Sequence, residues 1–266
     1  LVARTLDLAR TYFRFVGVRL QQYSEYRFDT AVLILASLLT DGVGLAFLWT
    51  VYQQVPTIQG WTAPELVVMY GFVVLAEGLC QMFFEGLWHF AYAVRLGMLD
   101  TFLVRPLPVL MSIVTLWMSP EGIGRVVLGG VLITSGLLNL SIAWTFWHVV
   151  ATVLVVIAGI AIRMALTVIV NCLGFWIVAP VQFGDLSEPF YELSRYPLGI
   201  YSRGLKIFII TALPVAFVGS VPGEFVTRGN ALSGLALISP VVAIALWIIA
   251  LSMFRKGIRD YSGAGN

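Results

Sequence analysis

Between Arg125 and Arg163 the chain passes through residues 126–162 without one Asp, Glu, Lys or Arg. A helix that crosses a bilayer needs about 20 predominantly apolar residues, so this stretch alone is long enough for two short spans. No other feature limits the fold as tightly. Further apolar runs lie near 30–52, 65–92, 164–183 and 232–254. The composition agrees: 59% of the residues are hydrophobic, 11% are charged and the mean hydropathy is +0.93, whereas soluble domains carry roughly 25% charged residues. The expected class is an all-α polytopic membrane protein in which one transmembrane domain occupies residues 30–254.

Six spans are expected, near 30–52, 65–92, 126–143, 146–162, 164–183 and 232–254. Asn139, Ser141, Trp144, Trp147 and His148 mark the turn between the third and fourth, as interfacial aromatics do. Arg163 is read as the break before the fifth. Thr62 and Glu65, with Pro64 between them, resemble a capping box at the start of the second span. Residues 1–29 are read differently. Leu6, Ala9, Phe13, Val16, Leu20 and Tyr23 recur at three-four spacing, with Arg4, Asp7, Arg10 and Arg14 mostly opposite. This predicts an amphipathic helix, lying either in the headgroup region or on the protein's own core. The stretch 205–222 is apolar, but Pro214 divides it and Pro222-Gly223 closes it. Each half is too short to cross, which predicts a re-entrant pair of half-helices. Arginines crowd the N-terminal segment, and Arg255, Lys256 and Arg259 open the tail at 255–266. The positive-inside rule places both ends in the cytoplasm and makes the number of spans even. Arg95, Arg105, Arg125 and Arg163 join them inside, leaving Arg195, Arg203, Lys206 and Arg228 outside.

Several functions are excluded or disfavoured. The net charge of +2 and the scattered basic residues do not form a nucleic-acid stripe. Cys80 and Cys172 both lie in apolar runs and read as core residues rather than a disulfide or metal framework. No G-x-x-x-x-G-K-[ST] loop is present, so this chain is not expected to hydrolyse ATP itself. The only histidines are His89 and His148, without an H-E-x-x-H pair, and no catalytic set can be assembled. The sequence opens on Leu1 rather than Met, which predicts residues before it; no cleavable signal peptide is visible.

The most informative segment follows the second span. Gly97 reads as a helix stop, and Leu99, Phe102 and Leu103 as the apolar face of a short helix with Asp100 near its start, ended by Arg105-Pro106 and Pro108. Such a helix either docks into a partner or rests on the bilayer. The pattern G-x-L-D-x-x-L-x-R-P, carried by Gly97, Leu99, Asp100, Leu103, Arg105 and Pro106, resembles the ABC-2-type permease family. Gly60-Trp61, Tyr196-Pro197, Pro214 and Pro222 fit the same family, and the likeness covers essentially the whole chain. The resemblance implies six helices per subunit, and a dimer formed with a second copy or a sibling permease. It also implies separate ATPase subunits that bind ATP and Mg, so that no cofactor is expected in this chain. It makes residues 97–106 (Gly97, Leu99, Asp100, Phe102, Leu103, Arg105 and Pro106) the coupling helix, and gives 205–222, with Pro214 and Pro222, the role of an external gate.

Asp41, Glu77 and Glu85 fall within proposed spans, where a charged side chain costs several kcal/mol unless it faces protein or water. Glu77, Gln81, Glu85 and His89 recur every four residues along one side of the second span. The stripe reads either as a wall of the substrate pathway or as interhelical hydrogen bonding. Because Arg95, Arg125 and Arg163 are placed near span ends, Glu77 is expected to lack a permanent basic partner. The leading expectation is the permease subunit of an ATP-driven exporter of an amphipathic or hydrophobic molecule, in a bacterial plasma membrane. The alternative is a proton-coupled secondary transporter using Glu77 and Glu85. The sequence does not name the substrate.

Overall fold

The computed structural model describes residues 2–54, 57–58, 60–177, 183–229 and 233–261. In chain order its α-helices are α1 (Val2–Glu25), α2 (Arg27–Gln54), α3 (Ala63–Phe84), α4 (Phe90–Arg95), α5 (Met98–Leu103) and α6 (Val109–Val114). There follow α7 (Glu121–Leu138), α8 (Phe146–Cys172), α9 (Phe183–Glu192), α10 (Arg203–Thr211), α11 (Ser220–Arg228) and α12 (Ser233–Asp260). The protein is all-α and polytopic, as expected. Among the described residues, five helical stretches are long and apolar enough to cross a membrane: Arg27–Gln54, Ala63–Arg95, Glu121–Leu138, Phe146–Phe175 and Gly234–Asp260.

The spans expected at 146–162 and 164–183 are one helix. α8 runs unbroken through Arg163, because the charge is buried against Glu188 and over the Tyr191 ring instead of ending the helix. The span expected at 126–143 is α7, which begins earlier, at Glu121, and ends at Leu138. Residues 178–182, at the end of the expected fifth span, lie outside the described residues. The expected span at 65–92 is interrupted: a 3-10 turn at Glu85–Leu87 joins α3 to α4, and the Gly86 N–H donates to the Trp117 carbonyl at 3.2 Å. The tail begins later than expected, since Arg255, Lys256 and Arg259 are the last turns of α12; residues 262–266 lie outside the described residues.

Beside these five stretches, a segment that is not apolar packs along α3. From Asp185 to Tyr196 the chain climbs along α3. Trp88 Nε1 donates to Asp185 at 3.2 Å, Arg163 holds Glu188, and Arg195 reaches Glu77 and Tyr70. The Ser220 hydroxyl donates to the carbonyls of Ser194 and Tyr196. This broken passage is α9, with Pro189 inside it, followed by 3-10 turns at Leu193–Arg195 and Leu198–Ile200. Arg195, expected in an outside loop, packs against Glu77, Asp41 and Tyr70.

α3 is the central helix and α7 its closest neighbour. Their contact is built on glycines two helical turns apart, Gly71 and Gly78 on α3 and Gly122, Gly129 and Gly136 on α7. A Cβ on Gly78 would lie 2.7 Å from the Val126 nitrogen, and one on Gly129 would lie 2.7 Å from the Leu75 nitrogen. Small residues let helix backbones approach closely in a membrane, where no hydrophobic effect drives helices together.

α1 meets the body through one face. Val16 is buried, the Tyr12 hydroxyl donates to the Phe83 carbonyl at 2.7 Å, and Arg19 donates to the Leu116 carbonyl. Phe13, Val18 and Leu20 point away from the protein and are exposed. The face predicted from Leu6 to Tyr23 is thus split between protein and surroundings; the side chains of residues 1–7 lie outside the described set.

The stretch expected to be re-entrant is α10, a bend at Leu213–Gly219 containing a 3-10 turn, and α11. It extends beyond the expected 222, because Pro222 opens α11 rather than closing the segment. A first-turn proline forfeits no intrahelical hydrogen bond. α11 is locked to the start of α3. Arg228 binds Glu65 (Nε to Oε1 2.8 Å), donates to the Gly60 carbonyl at 2.6 Å and lies 3.6 Å from the Trp61 ring centroid. Glu65 in turn accepts from the Thr62 N–H at 2.7 Å, so the capping carboxylate has a second role.

Candidate functional site

A cavity of about 530 Å³ opens between α2, α3, α7, α8 and α9. Its position follows from the sequence at the end of α3 and the 3-10 turn after it, where Glu77, Gln81 and Glu85 stand four residues apart beside the glycine contact with α7. All three line the cavity. His89, the fourth member of the stripe, does not line it and instead stands 3.5 Å from Glu85.

Glu77 is not unpartnered. Arg125 of α7 places Nη1 2.8 Å from Glu77 Oε1 and Nε 3.0 Å from Asp41 Oδ2. Arg195 places Nη2 3.6 Å from Glu77 and 3.8 Å from Asp41. Two carboxylates and two guanidiniums form one buried knot, with Asp41 2% and Glu77 5% exposed. Arg195 also lies over the Tyr70 ring at 5.0 Å, and the Tyr70 hydroxyl donates to the Asp41 carbonyl at 3.1 Å. The expectation failed for two reasons. α7 starts early enough to carry Arg125 into the helix packing, and the broken passage delivers Arg195 to the depth of Glu77. Each charge offsets the desolvation cost of its neighbours, a cost of several kcal/mol per ion.

A second charged group completes the wall. Arg163 Nη2 lies 3.3 Å from Glu188 Oε1, and its guanidinium carbon is 4.0 Å from the Tyr191 centroid. The Tyr191 hydroxyl donates to the Arg163 carbonyl at 3.2 Å. Three buried atoms of the lining residues have no hydrogen-bonding partner among the described residues: Gln81 Oε1, Arg163 Nη1 and Arg195 Nε. Sequence reasoning missed Arg125, Arg195, Arg163 and Glu188 as site residues. The available signal was charge itself, since an arginine inside an apolar run requires a counter-charge from elsewhere.

The residues of the 97–106 motif form a separate region at the α4 end of the molecule. Gly97 has φ +69°, the left-handed conformation that glycine adopts without Cβ strain, and it turns the chain from α4 into α5. Leu99 and Phe102 are 0% and 1% exposed and pack with Leu87, Phe90, Ile113 and Phe254. The expected exposed apolar face is therefore mostly turned inward, because the body of the protein supplies its partner. What α5 and the residues just after it present outward is Asp100, Thr101, Leu103, Val104, Arg105 and Pro106. The Arg105 guanidinium lies 5.5 Å from the Phe102 ring. Pro214 and Pro222 are both buried in the re-entrant segment, at the opposite end of α3, and neither lines the cavity.

A comparison with protein families matches residues 38–265 to a family described as ABC-2 family transporter protein. No curated protein and no solved structure matches the chain.

Proposed function

Because the chain belongs to the ABC-2 family of transporter proteins, a family whose membrane subunits associate with ABC ATPases, we propose that it is the permease subunit of an ATP-driven exporter. It would move an amphipathic or hydrophobic molecule out of a bacterial cell through the charged cavity. The observation that carries this reading is the cavity itself. A membrane interior tolerates a 530 Å³ space ringed by ionisable groups only where irregular backbone and charge face protein or water. The exposed tip of α5 is the docking element in this reading, held in place by Leu99 and Phe102 so that Asp100, Leu103 and Arg105 face the ATPase. α10 and α11 close the far end of the pathway, with both termini and α5 on the cytoplasmic side. The subunit pairs with a second copy or a sibling permease.

The proton-driven alternative is weaker on a specific ground. Glu77 is shared by two arginines, and a carboxylate held as an ion pair is a poor proton carrier. The test is transport in vesicles containing this chain and its ATPase. ATP-dependent efflux that survives collapse of the proton gradient supports the exporter. Efflux that follows the proton gradient in the absence of the ATPase overturns it.

A further inference from the structure

The charged cavity shares a wall with an apolar groove. Phe84, Leu87 and Met164 line both. The groove has a volume of about 480 Å³ and runs on past Tyr12, Met111 and Trp247, beneath α1. The Tyr12 ring stacks on Phe84 at 6.3 Å and its hydroxyl is engaged by the Phe83 carbonyl, so the α1 side of the groove offers a covered apolar surface. A polar chamber adjoining an apolar trench across the same three side chains suits the two parts of an amphiphile.

The charges say which amphiphile. Six carboxylates line the cavity, Asp41, Glu77, Glu85, Glu121, Glu188 and Glu192, against the three guanidiniums of Arg125, Arg163 and Arg195. The arginines are committed to Asp41, Glu77, Glu188 and Glu192. Glu121 makes no ion pair with a described residue, and Glu85 faces only His89 among them. The two flank one contact in the cavity wall: the Ser119 N–H donates to the Gln81 carbonyl at 3.1 Å, Glu85 is one turn beyond Gln81 on one side of it, and Glu121 opens α7 two residues after Ser119 on the other. Phe84 and Trp88, whose rings can attract cations, line the same cavity. Independently, Arg163, 4% exposed, lines the same cavity with its Nη1 donor unpartnered among the described residues, and a guanidinium N–H requires an acceptor oxygen.

We propose that cavity and groove are one bipartite site for a cationic amphiphile. Its ammonium lies between Glu85 and Glu121, an oxygen close to the ammonium accepts from Arg163 Nη1, and its hydrocarbon tail fills the groove under α1. This deepens the exporter reading and rests on it only for the direction of movement.

The test is equilibrium binding of radiolabelled dodecanoylcholine to the purified chain in lipid nanodiscs, without ATPase. The competitors are 3,3-dimethylbutyl dodecanoate, its uncharged carbon isostere, and dodecyltrimethylammonium, which lacks the ester oxygen. The choline ester should compete at least tenfold better than the isostere and several-fold better than dodecyltrimethylammonium. Glu85→Gln with Glu121→Gln should weaken its binding at least tenfold while leaving the melting temperature in place. Met111→Trp, which narrows the groove alone, should weaken it similarly; if the double variant does not fold, Glu121→Gln alone and the isostere comparison decide. Equal competition by the isostere, unaltered affinity in the carboxamide variants, or uptake no greater than by empty nanodiscs overturns the cationic site. Equal competition by dodecyltrimethylammonium overturns the Arg163 contact. Cation binding without ATP-driven efflux would refute the exporter and leave the ligand class standing. Efflux of uncharged compounds without cation binding would refute the ligand class alone.

Discussion

Arg125 of α7 holds Glu77 of α3 at 2.8 Å, and the same guanidinium binds Asp41 of α2 at 3.0 Å. One side chain thus ties three helices together at the inner wall of the cavity. Arg195 completes the group from a segment that is neither long nor apolar enough to be recognised as a span.

Removing Arg125 leaves two buried carboxylates without their closest partner, and breaking a buried pair from one side costs about 3–5 kcal/mol. Arg125→Leu should therefore lower the unfolding midpoint in nanodiscs markedly. Combining Arg125→Gln with Glu77→Gln should cost less than the sum of the two single changes. A double-mutant cycle by thermal unfolding measures the coupling, and additive effects would mean that the pair contributes nothing.

Gly78 and Gly130 make a matched comparison. A Cβ at Gly78 meets the α7 backbone below 3 Å, whereas one at Gly130 meets nothing within 4 Å. Gly78→Val should abolish recovery of monodisperse protein, and Gly130→Val should be recovered at the wild-type level. Equal yields would show that the close approach of α3 and α7 is not required.

Leu103 and Leu99 occupy one short helix with opposite surroundings, 46% and 0% exposed. Leu103→Asp should leave the isolated chain folded and prevent stimulation of the ATPase. Asp100→Arg should act in the same direction. Leu99→Asp should instead lower the melting temperature of the chain on its own, since it places a carboxylate in an apolar cluster. A fully active complex carrying both Leu103→Asp and Asp100→Arg would remove α5 from the coupling role.

Thr57 and Thr101 are both exposed and lie at opposite ends of the helical bundle. On a background lacking Cys80 and Cys172, a cysteine at Thr57 should label from outside intact cells, and one at Thr101 only after permeabilisation. Labelling of both from one side would overturn the six-passage arrangement.

The sequence determined on its own that this is an all-helical membrane protein, since run length and hydropathy are local quantities and the bilayer fixes the threshold. It also determined local punctuation: the Thr62-Glu65 start of α3 and the Gly97 turn depend on side chains a few residues apart. The seven-residue glycine spacing on α3 and α7 was equally written there, although its meaning required knowing that the two helices touch. The tertiary structure alone decided how the charges are neutralised. Asp41 and Arg125 are separated by 84 residues and Arg163 and Glu188 by 25, so a hydropathy window sees each as an isolated cost. Arg163 therefore read as the end of a span when it is the middle of one, and Arg195 read as an outside loop residue. The same limit governed α5. Helical spacing showed that Leu99 and Phe102 share a face but not whether protein or partner covers it, because burial is a property of everything packed around a residue.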